Sequence, residues 1–325
     1  RDNSYKARIK ILVKAEGARF VQEVEQEWRE IVEIDGGPHT LTQAEYDRVA
    51  AFFQPPAIGD NGVQVESSHA PDSPEYARWL QRNVAAHKDT ELRAVTLSLK
   101  RIGYAPGDAT PEQMEHAAEL ADTFSGGEIR VTHAQNLLLP WVRSDQLPQL
   151  WQAAKAAGFA RPTIGLLTDM IACPGGDFCA LANARSIPLA EALLERYQDL
   201  DELFDLGEID LHISGCINSC GHHHSGHIGI LGVDKDGKEW YQVSLGGSDG
   251  SALATTATPG KVIGPSFAAD EVADVLEAVI DTYRAQRTPS ERFIDTIKRV
   301  GLDPFKAAAN ATRRSTAQVA HGTTP

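Results

Sequence analysis

Four cysteines, arranged in two pairs, most constrain what this chain can fold into. Cys173 and Cys179 are separated by five residues, Cys216 and Cys220 by three, and the 325-residue sequence contains no other cysteine. Each pair follows an apolar segment that predicts a strand, and ligands of α/β layers usually bind where such strands end. The sequence therefore predicts a fold that brings two loops, 36 residues apart in the chain, toward one site.

Three chemistries compete for the four thiols. Disulfides form in oxidising compartments and mostly serve small domains that lack a core, which does not describe a chain of this length. Zinc prefers the tighter Cys-x2-Cys spacing, or two cysteines with two histidines. A 4Fe-4S cluster offers one iron corner to each of four thiolates, and its bulk suits the wider spacings of this sequence. The spacing therefore favours a cluster, with zinc and disulfides as the alternatives.

Four histidines follow the second cysteine pair within residues 214–227. Consecutive histidines point in different directions on any regular backbone, so we do not expect one metal site that uses all of them. Two or three should face solvent, and one should lie near the group that Cys220 approaches. These residues are His222, His223, His224 and His227.

The composition is that of a soluble globular chain long enough for two domains, with 42% apolar residues and a net charge of −14. This acidic balance argues against nucleic-acid binding, which rests on cationic residues that neutralise phosphates. No apolar run approaches the roughly 20 residues that span a bilayer, and the first residues lack the layout of a secretion signal. We therefore expect a cytoplasmic protein without nucleic-acid or membrane partners.

The first part of the chain, residues 1–56, is predicted to be helical. Apolar periodicity over residues 4–34, interrupted near Gly17, predicts a pair of helices. Thr42 and Glu45 form a capping-box pattern for a helix that ends near Phe53. A turn-rich stretch then marks a domain boundary.

Strands and helices are both predicted in the rest of the chain, which gives an α+β fold. Residues 57–160 contain a strand at 94–99 and a helix that begins after Thr110. The residues that this helix is predicted to bury are Met114, Ala117, Ala118, Ala121 and Phe124. Residues 161–309 predict a mixed α/β domain with a buried strand over 163–172 and a type I′ hairpin turn at 236–237. Residues 310–325 predict a polar tail.

The cysteine motif carries a family resemblance. Cys-x5-Cys, followed about forty residues later by Gly-Cys-Ile-Asn-Ser-Cys-Gly, resembles the sirohaem and 4Fe-4S hemoproteins of assimilatory sulfite and nitrite reduction. Supporting segments occur in the family's order: RDNSYKARIKILVKAEGARFVQEVE, RVTHAQNLLLP, SLGG and ERFIDTIKRVGL. The resemblance covers essentially the whole chain, but only the C-terminal part of a full-length reductase. It implies a ferredoxin-like half-domain at 57–160, followed by a mixed α/β sirohaem and 4Fe-4S domain at 161–309.

The resemblance also implies an activity and its cofactors. Sulfite would be reduced to sulfide, or nitrite to ammonia, by six electrons that arrive singly from ferredoxin or a flavoprotein. They would enter a 4Fe-4S cluster held by the four cysteines and pass to sirohaem. Cys220 matches the family cysteine whose thiolate bridges cluster and sirohaem iron, and a simpler role as a cluster ligand is its alternative. We rank sulfite above nitrite on the likeness of DFCALANARS and GHHHSGH to bacterial sulfite reductases.

Further site residues follow from the same resemblance. His222 could supply a proton to the substrate, and Asn218 could hydrogen-bond a sirohaem carboxylate or simply shape its loop. Arg130, Gln135 and Asn136 match polar positions that could reach sirohaem carboxylates, although a structural role is favoured for all three. The remaining two are glycines that would let the backbone approach the macrocycle: Gly246 and Gly247.

Charge limits what this chain could do alone. Sirohaem is an octacarboxylate and the substrate is an anion, so the pocket needs many Arg and Lys donors. Around the cysteines the sequence offers Arg185 and a few histidines, so we expect a fragment, or a chain that needs a partner with the missing half. A precorrin-3B synthase-like enzyme and a non-catalytic iron-sulfur electron-transfer module remain alternatives.

Overall fold

The computed structural model describes residues 9–37, 40–56, 72–251 and 256–313 and divides the chain into two compact units, Arg1–Pro56 and Ala57–Pro325. The first unit contains helix α1 (Ile9–Glu16), helix α2 (Ala18–Asp35) and helix α3 (Gln43–Ala50), which a single 3-10 turn (Ala51–Phe53) extends. The predicted break at Gly17 is confirmed: its φ of 56° is left-handed, which suits glycine. Thr42 accepts the Glu45 N–H at 3.2 Å, so the predicted cap of α3 is also confirmed.

The second unit begins with a four-stranded antiparallel sheet covered by helices. Its strand order is β1-β2-β4-β3. Trp79, Val95, Leu139 and Leu150 are fully buried in the core between this sheet and its helices. In chain order the elements are α4 (Pro74–Asn83), β1 (Val84–Ala86), β2 (Leu92–Leu97), α5 (Pro111–Phe124), β3 (Arg130–Val131), β4 (Leu137–Arg143) and α6 (Leu147–Ala156).

Helix α5 begins where the sequence predicts and buries three of the five residues predicted to face the core. Thr110 and Gln113 form a complete capping box, which confirms the predicted start. The predicted burial is confirmed for Ala117, Ala121 and Phe124. It is wrong for Met114 and Ala118, which are exposed. Gln113 is buried although it is polar, because its side-chain oxygen accepts the Thr110 N–H.

In the described residues that follow, a mixed six-stranded sheet is accompanied by five helices. Strands β5, β6 and β7 are parallel, while β8 pairs antiparallel with β7, β9 and β10. The order is β10-β8-β7-β6-β5, with β9 beside β8. The elements are β5 (Ile171–Ala172), α7 (Ile187–Arg196), α8 (Leu200–Leu206), β6 (Leu211–Ser214), β7 (Ile228–Lys235), β8 (Lys238–Leu245), β9 (Lys261–Val262), β10 (Phe267–Ala268), α9 (Val272–Gln286), α10 (Phe293–Val300) and α11 (Asp303–Ala311).

Two sequence predictions differ in outcome within this sheet. The type I′ turn is confirmed, because Asp236 and Gly237 have φ values of 57° and 73° between β7 and β8. The strand over 163–172 is wrong except for its last two residues. The segment before them folds into turns, with Leu166 N–H on Thr163 O and Asp169 N–H on Leu166 O. An apolar run records burial, and burial alone does not specify extended backbone.

The α+β class is confirmed by these two sheets and their helices. Helix α11 continues through residue 311, so the boundary predicted at 309 lies inside a helix. Most of the predicted tail, residues 314–325, lies outside the described residues, as do residues 57–71 at the predicted first boundary. Among the described residues no helix is both long enough and apolar enough to span a membrane.

Candidate functional site

The first cysteine of each pair lies at the same edge of the mixed sheet. Cys173 follows β5 directly, and Cys216 comes two residues after the end of the adjacent parallel strand β6. The Cys173 N–H donates to Ile213 O at 3.1 Å, and the Gly215 N–H donates to Cys173 Sγ at 3.1 Å. Amide donors to a sulfur stabilise its thiolate form, as they do around metal-bound cysteines. The two cysteine loops therefore meet at Cys173.

Glycines allow the two loops to touch through their backbones. A Cβ on Gly215 would lie 2.6 Å from Ala184 O and 2.8 Å from the Cα of Gly175, in the other cysteine loop. Gly175 has a φ of 61° and would place its own Cβ against the Ser186 backbone. Any larger residue would force the loops apart. In the same loop, the Gly176 N–H donates to Ala184 O at 3.0 Å.

The four thiols differ in accessibility, and none is in a disulfide. Cys216 is buried, Cys173 and Cys179 are half-buried, and Cys220 is exposed. In the part of the chain that the structure describes, no three His, Cys, Asp or Glu side chains are placed to hold one metal ion. A donor set of four soft thiols on two touching loops fits a group with several metal corners better than it fits a single ion.

The loop that carries the second cysteine pair exposes several side chains to solvent. Ser219 and His222 both have left-handed φ values, 60° and 56°. Asn218 and Cys220, on either side of Ser219, are exposed, and so is the apolar residue Ile217. This loop therefore presents Cys220 outward, while Cys216 faces inward.

The four histidines divide into two exposed and two buried residues. His222 and His224 are exposed, which agrees with the expectation that two or three would be, and His223 and His227 are buried. His223 Nδ1 lies 3.2 Å from Ser219 Oγ, so His223 supports the cysteine loop. Burial lowers the pKa of His223 to about 4, which makes this imidazole neutral near pH 7. His227 Nδ1 accepts the Asp210 N–H at 3.2 Å and is a structural residue.

The polar residues from the four-stranded sheet have partners within the chain. Gln135 bonds Ala172 through both ends of its amide, and Asn136 accepts the Leu99 N–H at 3.0 Å. Exposed Arg130 pairs with Glu128 and lies over the Trp141 ring. These contacts agree with the structural role that the sequence favoured, and contact of the three with sirohaem remains a prediction.

A buried lysine and a half-buried aspartate next to these residues were missed by the sequence analysis. Lys100 has no exposed surface, and its Nζ donates to Ala134 O at 2.7 Å and Gln135 O at 3.0 Å. Asp169 accepts from Asn136 Nδ2 at 2.8 Å and from the Gly165 N–H at 3.0 Å. Burial lowers the pKa of Lys100 to about 8 and raises the pKa of Asp169 to about 6. The available signal was a charge directly after or within an apolar run, at SLK and TDM.

Gly246 and Gly247 contact the histidine loop and a cationic cavity. The Gly246 N–H donates to His227 O at 2.9 Å, and a Cβ on Gly247 would strike Gly226 O. Gly246 also lines a cavity of about 580 Å³, and the described residues of its lining include no acidic residue and three lysines: Lys261, Lys298 and Lys306. These lysines were not singled out from the sequence. Arg185, which the sequence analysis did single out, pairs with Glu239 at 3.1 Å.

Comparisons with known proteins agree with this architecture. Residues 87–157 match the family model described as the nitrite/sulfite reductase ferredoxin-like half domain, and residues 166–316 match the nitrite and sulphite reductase 4Fe-4S domain. The structure of Mycobacterium tuberculosis NirA protein covers 94% of this chain and 50% of its own, with a TM-score of 0.61 and 25% identity.

Two curated relatives carry different substrate names. A ferredoxin--nitrite reductase of Synechococcus elongatus is 31% identical over 225 residues, which are 66% of this chain and 41% of that protein. A sulfite reductase [ferredoxin] 2 of Mycolicibacterium paratuberculosis is 29% identical over 222 residues, 64% of this chain and 39% of that protein. The chain thus spans about two fifths of the length of these relatives.

The fold, the thiol loops and these matches define an iron-sulfur oxidoreductase class. Within that class, the chain belongs to the nitrite and sulfite reductase family, whose cofactors are a 4Fe-4S cluster and sirohaem. The resemblance inferred from the cysteine spacing is therefore confirmed, and so are the two cofactors. The individual site residues and the substrate are not determined by these matches.

Proposed function

We propose that this chain is the cluster- and sirohaem-binding part of an assimilatory sulfite reductase, which reduces sulfite to sulfide with six electrons. The observation that carries the proposal is the meeting of the two cysteine loops. Gly215 of the second loop donates its N–H to Cys173 Sγ, and the same glycine leaves no room for a side chain against Gly175 of the first loop. Two loops held this closely can present four thiolates to one compact group.

The cysteines would have different tasks. Cys173 is oriented by the Gly215 N–H and lies near Ser186 Oγ at 3.5 Å, while Cys216 is buried, so both suit the inner corners of a cluster. Cys220 is exposed, which is the position required of a thiolate that also contacts a second cofactor. When bound, the cluster and sirohaem would supply single-electron storage and an iron that ligates the substrate anion.

Other residues would bind and protonate around that pair of cofactors. Asn218 and His222 flank Cys220 on the exposed side of the loop, where an amide could donate to a carboxylate and an imidazole could donate a proton. Lysines of the cavity beside Gly246 could neutralise some sirohaem carboxylates. Among the described residues near the cysteines, Arg185 is paired with Glu239, so this acidic chain would need further Arg and Lys from elsewhere for full activity.

Nitrite is the second candidate substrate, and the name of the Synechococcus elongatus relative favours it. Sulfite and nitrite are both small anions that ligate the same iron, so cationic residues around the substrate would discriminate between them. The donor would be a ferredoxin or a flavoprotein that delivers single electrons. A steady-state comparison of both anions on the complete reductase decides the order: a much larger kcat/KM for nitrite would reverse our ranking.

Metal analysis of the anaerobically purified chain tests the cluster proposal itself. We expect iron and acid-labile sulfide in equal amounts, and Cys173→Ser or Cys216→Ser should lose most of both. Ser225→Ala is a matched control, because Ser225 lies in the same loop and donates to His222 O while all four thiols remain. Stoichiometric zinc with negligible iron would contradict the proposal.

Cys220→Ser tests the link between the cofactors. We expect the variant to lose the coupled spectrum of cluster and sirohaem in protein reconstituted with both. Retention of the full haem absorbance and of activity would refute the bridging role of this cysteine.

A further inference from the structure

The strand that carries Cys173 is an edge strand only two residues long. In the described sheet β5 is the last strand, and it pairs with β6 alone, with Ile171 opposite His212 and Ala172 opposite Ile213. In such a parallel pair, alternate residues direct their backbone groups away from the partner strand. Ala172, the residue before Cys173, therefore turns its N–H and C=O toward the open edge, where unpaired groups are costly if buried.

The Gln135 side chain occupies this open edge as a substitute for a strand. Its Nε2 donates to Ala172 O at 2.8 Å, and its Oε1 accepts the Ala172 N–H at 2.9 Å. A glutamine amide has the same donor and acceptor as a peptide group, so it can complete one rung of a ladder. Gln135 belongs to the turn before β4, in the other sheet, and is 37 residues from Ala172 in sequence.

The backbone at Gln135 is itself strained and held. Its φ of 56° is left-handed, which costs free energy for a residue with a side chain. The Gln135 N–H donates to Thr132 O at 3.1 Å, and Lys100 Nζ donates to Gln135 O at 3.0 Å and Ala134 O at 2.7 Å. Lys100 is fully buried, so its ammonium has few partners besides these carbonyls and the charge of Asp169.

The next residue fixes the same segment at a second point. Asn136 Nδ2 donates to Asp169 Oδ1 at 2.8 Å, and Asn136 Oδ1 accepts the Leu99 N–H. Asp169 lies three residues before Ala172. The neighbouring side chains of Gln135 and Asn136 therefore both bind the segment that leads to Cys173. The turn at 134–136 is thereby a fixed reference for the backbone of 169–172.

We propose that Gln135 is a positioning residue for the cluster ligand Cys173, and that Lys100 holds Gln135 in the required conformation. The inference rests on the proposed function, because it requires that Cys173 binds the cluster. By completing the open edge at Ala172, Gln135 sets the direction in which the chain leaves β5. The ferredoxin-like half-domain thus contributes to the cluster site without touching it.

Gln135→Leu tests the proposal, since it removes both hydrogen bonds at nearly constant volume. The matched control is Gln113→Leu, which removes a buried glutamine of the same half-domain that caps α5 and whose described side-chain hydrogen bonds are to Thr110 and Ala157. Both variants should lower the melting temperature of the anaerobically purified chain. Only Gln135→Leu should lose iron to a chelator faster than wild type, by roughly 10-fold. Substitution of a residue that supports a metal ligand typically weakens metal binding by about this factor.

The spectrum of the reduced cluster gives a readout that general destabilisation does not move. We expect Gln135→Leu to shift the electron paramagnetic resonance g-values and the midpoint potential, whereas Gln113→Leu leaves both at the wild-type values. Gln135→Glu keeps an acceptor for the Ala172 N–H and loses the donor to Ala172 O, so its iron loss should fall between wild type and Gln135→Leu. If Gln135→Leu does not fold, this second variant decides alone.

Opposite results would separate the two proposals. Wild-type iron loss, g-values and potential in Gln135→Glu and in any folded Gln135→Leu would overturn the positioning role and leave the proposed function standing. A wild-type chain that binds no iron-sulfur cluster under anaerobic reconstitution would overturn both.

Discussion

Gly215→Ala is the sharpest test of how the cysteine loops are built. The added Cβ would lie 2.6 Å from Ala184 O and 2.8 Å from Gly175 Cα, and both neighbours are backbone atoms that cannot rotate away. The Gly215 carbonyl also accepts the N–H groups of Asn183 at 2.8 Å and Ala184 at 3.1 Å, so Gly215 cannot shift without loosening these bonds. The methyl group must therefore push the two loops apart.

The size of the effect follows from overpacking. Forcing one methyl group into a close-packed site typically costs about 1–3 kcal/mol. For a unit of this size, each 1 kcal/mol lowers the melting temperature by roughly 2–4 °C. The separation also moves the Gly215 N–H away from Cys173 Sγ, from its present 3.1 Å. We therefore expect lower stability together with faster iron loss.

Gly176→Ala supplies the matched control for this measurement. Gly176 belongs to the first cysteine loop, has no left-handed φ, and would place its Cβ 3.3 Å from the flexible Arg185 side chain. Its cost should stay within about 0.5 kcal/mol, as for ordinary surface changes. Anaerobic urea unfolding and chelator-driven iron loss measure both variants. A Gly215→Ala protein as stable and as iron-retentive as Gly176→Ala would refute the tight contact between the loops.

Three further predictions concern charge. Burial holds the pKa of Lys100 at about 8, against 10.5 when unfolded, so the unfolded state binds more protons between these two pH values. The free energy of unfolding should therefore rise from pH 8 to 10.5 in wild type. Urea titrations should show a smaller rise in Lys100→Met. Burial also lowers the pKa of His223, to about 4 from 6.5, so the free energy of unfolding should fall as pH drops from 6.5 toward 4. His223→Gln should reduce this fall. If the Lys298 ammonium binds a sirohaem carboxylate, Lys298→Ala should weaken sirohaem binding roughly 10-fold in an absorbance titration. Exposed Lys88→Ala is the control, and equal sirohaem affinities of the two variants would exclude that contact.

Local sequence signals predicted the features that depend on neighbouring residues. Asp236-Gly237 specified its turn because type I′ geometry needs two left-handed residues, and Thr110 specified a helix start because its hydroxyl reaches an N–H three residues on. The cysteine pairs were readable for the same reason, since each spacing reports one loop. Together with the surrounding motif they carried the resemblance to the family, which the family models confirm.

Features that depend on distant residues could not be read in this way. The segment 163–172 looked like a strand because it is apolar, but its backbone bends through turns so that Asp169 can meet Asn136, 33 residues earlier. Lys100 ends an ordinary strand pattern, and nothing near it in sequence shows that its ammonium is buried against the carbonyls of 134 and 135. Such partners become visible only when the two sheets are placed together.

The two family domains in this chain therefore depend on each other at the cysteine site. Among the described residues of 87–157 and 166–316, three side-chain hydrogen bonds join the two domains. Gln135 donates to Ala172 O and accepts the Ala172 N–H, and Asn136 donates to Asp169. Each is worth only about 1 kcal/mol net when made, but a buried group that loses its partner costs about 1–3 kcal/mol. Separating the domains would expose Ala172, Asp169 and the Lys100 ammonium together. The 4Fe-4S domain keeps all four thiols within its own residues, yet the direction of Cys173 is set from outside it, by a turn of the half-domain.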